Sequence, residues 1–255
     1  MQLPDIKEII EIAVTAGNKI MEVYNDSSYI QNIEKKEDNS PLTIADKKSH
    51  EVIYNSLIKL YPQIPVISEE GTGIDYEKRK SWTTFWLVDP LDGTKEFIKR
   101  NGQFTVNIAL IHALKPVLGV IQIPVTGEIY FADDKGCFKS DKNGVKKVIS
   151  VNHKTKDLIA VASSSHKGNE SGFLSRFDIK EEINVGSSIK FCFVAEGKAD
   201  IYYREGPTME WDTAAGQAIV ESAGGVVFNL NYNKPDLKNR SFCCFGFKPD
   251  ENINL

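Results

Sequence analysis

Apolar residues at Ile6, Ile9, Ile10, Ala13, Gly17, Ile20 and Tyr24 recur three and four positions apart, which predicts a packing helix over 4–24 with Pro4 near its first turn. The pattern then breaks. Residues 25–41 are polar and carry the charge run Glu34-Lys35-Lys36-Glu37-Asp38, which reads either as a solvated loop or as a mobile loop beside a site. Helical spacing returns at Ile44, Val52, Ile53, Leu57 and Leu60, predicting a second helix over 43–60 with Asp46 in its first turn. Beyond it the apolar runs shorten to strand length. Pro65–Ser68 runs straight into Glu69-Glu70-Gly71, and Phe85–Val88 into Asp89-Pro90-Leu91-Asp92-Gly93-Thr94.

Segments 104–111, 116–124, 128–132, 137–138 and 145–151 are rich in Val, Ile and Phe, with Thr126-Gly127 and Asn143-Gly144 as turn signals, and so predict an antiparallel sheet. A different rhythm starts near Lys156. Strand 158–162, helix 172–177, strand 183–185, helix 187–195 and strand 201–203 form a βαβαβ pattern, which predicts a more open α/β sheet. Met209–Gly216 leads into a helix reaching Val220, closed by Gly224-Gly225, and 226–228 and 242–247 are the closing strands. The change of rhythm divides the chain into an N-terminal lobe, 1–155, and a C-terminal α/β lobe, 156–255.

Composition narrows the function classes. A chain of 255 residues that is 41% hydrophobic can bury a substantial core. Its net charge of -4 argues against sequence-independent binding of a nucleic-acid polymer, which needs a basic face. Cys137, Cys192, Cys243 and Cys244 have neither C-x-x-C nor zinc-ligand spacing and read as buried, reduced thiols. No apolar run is long enough to span a membrane and no signal-peptide core opens the chain, so the expected address is the cytoplasm, with peripheral contact at the inner membrane left open.

The candidate chemistry lies at the strand ends. Asp89 and Asp92 would point to opposite faces of a continuing strand, and Pro90 disfavours a helix there, so a turn is expected. A turn can be ordinary surface structure, or it can bring both carboxylates and the Leu91 carbonyl to one point, the hard oxygen set that Mg2+ requires. Gly93-Thr94-Lys95 then opens a short helix whose free N–H groups suit a phosphate. Glu69 at the other strand end, Asp46 and Asp212 at helix starts are the remaining acidic candidates, each with a capping or solvated reading beside the functional one.

Taken together, Glu69, Asp89-Pro90-Leu91-Asp92-Gly93-Thr94 and Trp211-Asp212-Thr213-Ala214-Ala215-Gly216 resemble the motifs of the inositol monophosphatase superfamily of metal-dependent phosphatases. The resemblance extends from the first helix to Gly225. It implies an α+β fold of layered α-β-α-β-α type, the sugar-phosphatase-like arrangement, with two lobes around one cleft. Within the superfamily the chain is similar to the bacterial CysQ branch of 3'(2'),5'-bisphosphate nucleotidases, through Ser163-Ser164-Ser165-His166, Gly186-Ser187-Ser188-Ile189-Lys190-Phe191-Cys192, Arg204 and Gly206-Pro207-Thr208.

That resemblance implies two or three Mg2+ ions held by Glu69, Asp89, the Leu91 carbonyl, Asp92 and Asp212, with Asp46 and Thr94 as the catalytic pair. It implies substrate contacts from Glu69, Leu91, Asp92, Gly93, Thr94, His166, Ser187, Lys190 and Asp212. The implied partner is a small nucleotide bisphosphate, adenosine 3',5'-bisphosphate first and its sulfated analogue second. An inositol or sugar monophosphatase is the alternative, and a metal- and nucleotide-binding sensor without turnover is a further one. Glu196, Asp200, Glu205 and Glu210 receive no role, and monomer and homodimer both stay open.

Overall fold

The computed structural model describes residues 3–26, 34–35, 41–42, 44–71, 73–163 and 171–249. The first half opens with α1 (Ile6–Asn25), the short strands β1 (Glu34–Lys35) and β2 (Pro41–Leu42), and α2 (Ile44–Leu60). It continues through β3 (Val66–Ser68), α3 (Tyr76–Arg79), β4 (Thr84–Asp92), α4 (Thr94–Ile98), β5 (Thr105–His112), β6 (Lys115–Ile123), β7 (Glu128–Asp133), β8 (Gly136–Ser140) and β9 (Lys146–Val148). The second half carries β10 (Leu158–Ser163), α5 (Ser171–Leu174), β11 (Ile179–Val185), α6 (Ile189–Ala195), β12 (Ile201–Arg204), β13 (Thr208–Met209), α7 (Glu210–Ser222), β14 (Val226–Phe228), β15 (Lys238–Asn239) and β16 (Phe242–Phe245).

Among the described residues, β3 to β9 form a seven-stranded sheet in sequence order, antiparallel except where β3 runs parallel to β4. The second sheet is five-stranded, in the order β11-β10-β12-β16-β14, with β10 parallel to both β11 and β12 as a βαβαβ unit requires. Most of the expected loop 25–41 lies outside the described residues; Glu34–Lys35 and Pro41–Leu42, which are described, pair antiparallel.

Strand alternation builds the layers. On β4, Trp86 and Val88 face α1 and α2, whereas Phe85 and Leu87 face the interior of the molecule; on β5, Val106, Ile108 and Leu110 face the helices and Ala109 and Ile111 the interior. The inner face is covered by α6 and α7, through Phe191, Val194, Ala214, Ala215 and Ile219, and these helices also pack on Val161, Tyr202, Phe242 and Cys244 of the second sheet. The alternate residues of that sheet, Ala160, Ile201, Cys243 and Phe245, turn outward to Phe173 and Leu174 of α5. The succession is therefore α1/α2, sheet, α6/α7, sheet, α5. Coverage on both faces explains why central stretches such as Phe85–Val88 and Leu158–Ala162 read as unbroken apolar runs.

Two glycines let the middle layer close up. A Cβ on Gly119 of β6 would stand 2.6 Å from the Ala215 carbonyl oxygen, and one on Gly216 of α7 would stand 2.3 Å from Cγ of Phe191. All four cysteines are free and buried. Leu60, expected to pack, is 44% exposed; the buried stripe of α2 is instead Ala45, Asp46, Ser49, Ile53 and Leu57. No helix of the described residues is long and apolar enough to cross a membrane.

Candidate active site

The expected turn after Val88 is instead a bulge inside a strand that runs on to Asp92. Asp89 stands opposite Asn107 and Asp92 opposite Thr105, so three steps on β4 match two on β5. That one extra residue inverts the alternation: Leu91 joins Trp86 and Val88 on the helix side, and Asp92 comes round to the face that Asp89 occupies. The bulge is pinned from both sides. Leu91 N–H donates to Asp89 Oδ1 at 3.1 Å, and the buried Ser49 hydroxyl of α2 donates to the Pro90 carbonyl at 2.7 Å.

Neighbouring elements bring the other carboxylates. The parallel pairing of β3 with β4 places Glu69 beside this strand end, its N–H donating to the Val88 carbonyl at 3.2 Å. Asp212 sits in the first turn of α7, where its Oδ2 accepts the Met209 N–H at 2.8 Å. It thus occupies a capping position and faces the acid cluster at the same time. Asp46, buried in the first turn of α2, is the further acid.

Electrostatics show how tightly these groups meet. Burial raises the Asp89 carboxyl well above the usual carboxylate range, and the charges of Glu69, Asp92, Asp212 and Asp46 raise it further. Asp212 is likewise raised well above that range, by burial first and then by Asp92 and Glu69, against the Met209 N–H and Arg204. Burial also raises Asp92, while Lys190, the Ser188 N–H and Asn107 oppose it. Among the described residues no three acidic, thiol or imidazole side chains are closed up as a finished ligand cluster. The donor chemistry decides the fit: four carboxylates and a backbone carbonyl, with no thiol or imidazole, suit a hard divalent cation that keeps some of its waters.

Beyond Asp92, Gly93 adopts φ 95° and caps α4, which begins at Thr94. The Thr94 hydroxyl donates to the Leu91 carbonyl, at a long 3.5 Å, rather than to Asp46, the acid with which the resemblance pairs it. Thr94 and Asp46 do line the same cleft of about 330 Å³, together with Glu69, Asp92, Gly93, Ser187, Lys190, Arg204 and Asp212. A larger groove of about 860 Å³, walled by Asp5, Glu8, Tyr61 and Trp82, holds none of the converging acids.

The second-lobe candidates meet this cleft in an altered form. The helix expected from Ser187 starts at Ile189; Ser187 itself has φ 50°, and its buried hydroxyl makes no hydrogen bond. Lys190 is not on a solvated helix face but 5% exposed, its Nζ donating to the Ser187 carbonyl at 2.7 Å and the Val185 carbonyl at 3.2 Å. His166 lies outside the described residues.

Asp92 is held in place by Ser188, which belongs to the Gly186–Cys192 motif, and by Thr105 and Asn107, which motif reading passed over. The Ser188 N–H donates to Asp92 Oδ2 at 2.5 Å, and the Ser188 hydroxyl lies 2.7 Å from both Thr105 Oγ1 and Asn107 Oδ1. Thr105 and Asn107 were detectable as polar residues alternating with Val106 and Ile108 on an otherwise apolar strand. Three of the unassigned acids are structural. Glu196 pairs with Lys139 and Lys198, Asp200 accepts the Ile159 N–H, and Glu210 accepts the N–H groups of Asn233 and Lys234.

The sequence model of the Inositol monophosphatase family matches residues 2–252. The chain belongs to that family. It is 44% identical to the 3'(2'),5'-bisphosphate nucleotidase CysQ of Salmonella typhimurium over 244 residues, covering 95% of this chain and 98% of the relative, and 43% identical to the Escherichia coli K12 protein of the same name over the same shares. Its fold superposes on the crystal structure of CysQ from Bacteroides thetaiotaomicron, a bacterial member of the family, with TM-score 0.83 and 43% identity over 95% of this chain and 97% of the other. An IMPase from Thermotoga maritima shares the fold at TM-score 0.75 and 23% identity, covering 93% of this chain and 90% of that one.

Proposed function

We propose that this chain is a 3'(2'),5'-bisphosphate nucleotidase that removes the 3'-phosphate of adenosine 3',5'-bisphosphate, leaving AMP and phosphate. The observation that carries the reading is the 43–44% identity, over 95% of the chain, to nucleotidases of that name. The cleft supports it, since its lining combines the acidic cluster with Ser187, Lys190 and Arg204, donors suited to a further phosphate.

Asp89, on the inward face of the bulge, together with Glu69, the Leu91 carbonyl, Asp92 and Asp212, would hold the metal ions. Two or three Mg2+ ions bound there would supply a water of lowered pKa and charge stabilisation for the leaving oxygen. The Gly93 and Thr94 N–H groups hold the reacting phosphate. Thr94 orients the attacking water and Asp46 receives its proton, a contact that closes when substrate fills the cleft. Ser187 and Lys190, with His166, take the rest of the nucleotide. The two-lobe division near residue 155 goes with this reading, and it is supported by the segregation of the sheets, the seven-stranded one within 66–148 and the five-stranded one within 158–245.

The test is phosphate release from adenosine 3',5'-bisphosphate and from inositol 1-phosphate, each with Mg2+ and with EDTA. The nucleotide should show the higher kcat/KM, by about a hundredfold, and EDTA should abolish turnover. A preference for inositol 1-phosphate would transfer the chain to the monophosphatase reading, and nucleotide binding without turnover to the sensor reading.

A further inference from the structure

At Gln103 the metal-site end of the cleft meets the segment that carries the donors for a further phosphate. Gln103 stands at the entry to β5. Its side-chain Oε1 accepts the Gly186 N–H at 2.8 Å, and its own N–H donates to Asn101 Oδ1 at 3.0 Å, which holds the residue in register with the end of α4. Its backbone carbonyl is wedged between two glycines: a Cβ on Gly93 would stand 3.1 Å from that oxygen, and a Cβ on Gly186 would stand 2.8 Å from it. The same Gly186 Cβ would lie 2.7 Å from Cγ of Glu96, and a Gly93 Cβ would lie 3.3 Å from Cβ of Ser187.

Gly93 opens the helix at the reacting-phosphate end of the cleft, and Gly186 opens the segment that carries Ser187 and Lys190. Three chain segments thus meet at Gln103, with no room for a side-chain carbon on Gly186 and a tight fit for one on Gly93, whose φ of 95° also favours glycine. One amide oxygen ties the Gly186 backbone to the strand that follows α4. The same segment is tied a second time at Ser188, whose N–H donates to Asp92 beside Thr105 and Asn107, so loss of the Gln103 bond frees its Gly186 end while the acidic cluster keeps this support.

We infer that Gln103 is a specificity-determining positioning residue: it sets the spacing between the reacting-phosphate site at Gly93–Thr94 and the further-phosphate site at Ser187–Lys190, and so selects substrates bearing two phosphates. This rests on the nucleotidase reading. Substrates with a single phosphate do not sense the spacing. A net hydrogen bond of ordinary strength corresponds to about tenfold in an equilibrium constant.

The experiment compares KM and kcat for adenosine 3',5'-bisphosphate and adenosine 3'-monophosphate in wild type, Gln103→Met, Gln103→Asn and Gly186→Ala. Methionine is near-isosteric but has no strong acceptor, asparagine withdraws the amide by one methylene, and the added alanine carbon forces the joint open with Gln103 intact. Each variant should raise KM for the bisphosphate about tenfold more than KM for the monophosphate, with kcat for both changed less than about threefold. An equal rise for the two substrates, a fall confined to kcat, or an unchanged KM ratio in the folded variants overturns the inference. Failure of wild type to prefer the bisphosphate refutes the nucleotidase reading itself, and wild-type preference retained by every variant refutes the inference alone.

Discussion

Asp89 is the residue on which the chemistry converges, and its environment is inhospitable without a cation. Its carboxyl is 2% exposed and faces Glu69, Asp92, Asp212 and Asp46. Because its folded pKa lies above the unfolded value, the folded protein binds more protons than the unfolded chain between the two values, so stability falls as pH rises through that window. In EDTA the Tm should therefore be higher at a pH just above the ordinary carboxylate range than at a distinctly higher pH, and Asp89→Asn should flatten that slope. Added Mg2+ should raise Tm more at the higher pH, since the ligands bind as carboxylates; thermal melts at both pH values check this. For turnover the substitutions act the other way. Asp89→Asn or Asp212→Asn should lower kcat by about a thousandfold or more while circular dichroism stays native, about 4 kcal/mol of transition-state stabilisation; residual activity near wild type would remove the metal assignment.

At the scale of elements, the site depends on how closely α6 and α7 approach. Phe191 of α6 stacks on Phe242 with ring centroids 5.7 Å apart and meets Tyr202 edge-on at 5.0 Å, so it has no room to yield to a carbon on Gly216. Gly216→Ala should cost about 2 kcal/mol through overpacking, a fall in Tm of roughly 4–8 °C at this chain length. A neutral result in a thermal melt would show that the helices can slide apart. The same closeness joins chemistry to fold, because α7 carries Asp212 in its first turn and Gly216 one turn later, while α6 carries Lys190 and Phe191 side by side.

Across the whole molecule, distant segments are clasped by a buried guanidinium. Arg79, 2% exposed, donates to Asn233 Oδ1 at 2.8 Å, the Pro235 carbonyl at 2.7 Å and the Ile74 carbonyl at 3.2 Å. Asn233 N–H in turn donates to Glu210 Oε2 at 2.6 Å, so the start of α7, and with it Asp212, is held from the opposite half of the chain. Arg79→Met fills the volume but leaves three acceptors unmet, and should cost about 3 kcal/mol or more, read as a lower urea midpoint. An unchanged midpoint would assign the clasp to the surface loops alone.

How much of this was legible in the sequence follows from the range of each interaction. Hydrophobic periodicity located α1, α2 and the strands because burial of one face is a local property of the pattern, and the doubly covered sheets were visible as apolar runs such as Phe85–Val88 and Ile108–Ile111 without inward alternation. The acids at Glu69, Asp89 and Asp92 stood out because charge at the end of a buried strand is costly and therefore conspicuous, whereas Asp212, at a helix start where an acid is ordinarily favourable, stood out only through the Trp211–Gly216 motif. The sequence alone could not show that Asp92 reaches the Asp89 face by a bulge, since that depends on pairing against Asn107 and Thr105 of another strand. Nor could it bury Lys190, whose ammonium is folded back onto the carbonyls of Val185 and Ser187 by the left-handed turn at Ser187. Pattern and residue type determined the elements and the acidic chemistry; register, burial and the meeting of Gly93, Gln103 and Gly186 were decided by contacts between residues far apart in the chain, which only the packed tertiary structure brings within hydrogen-bonding range.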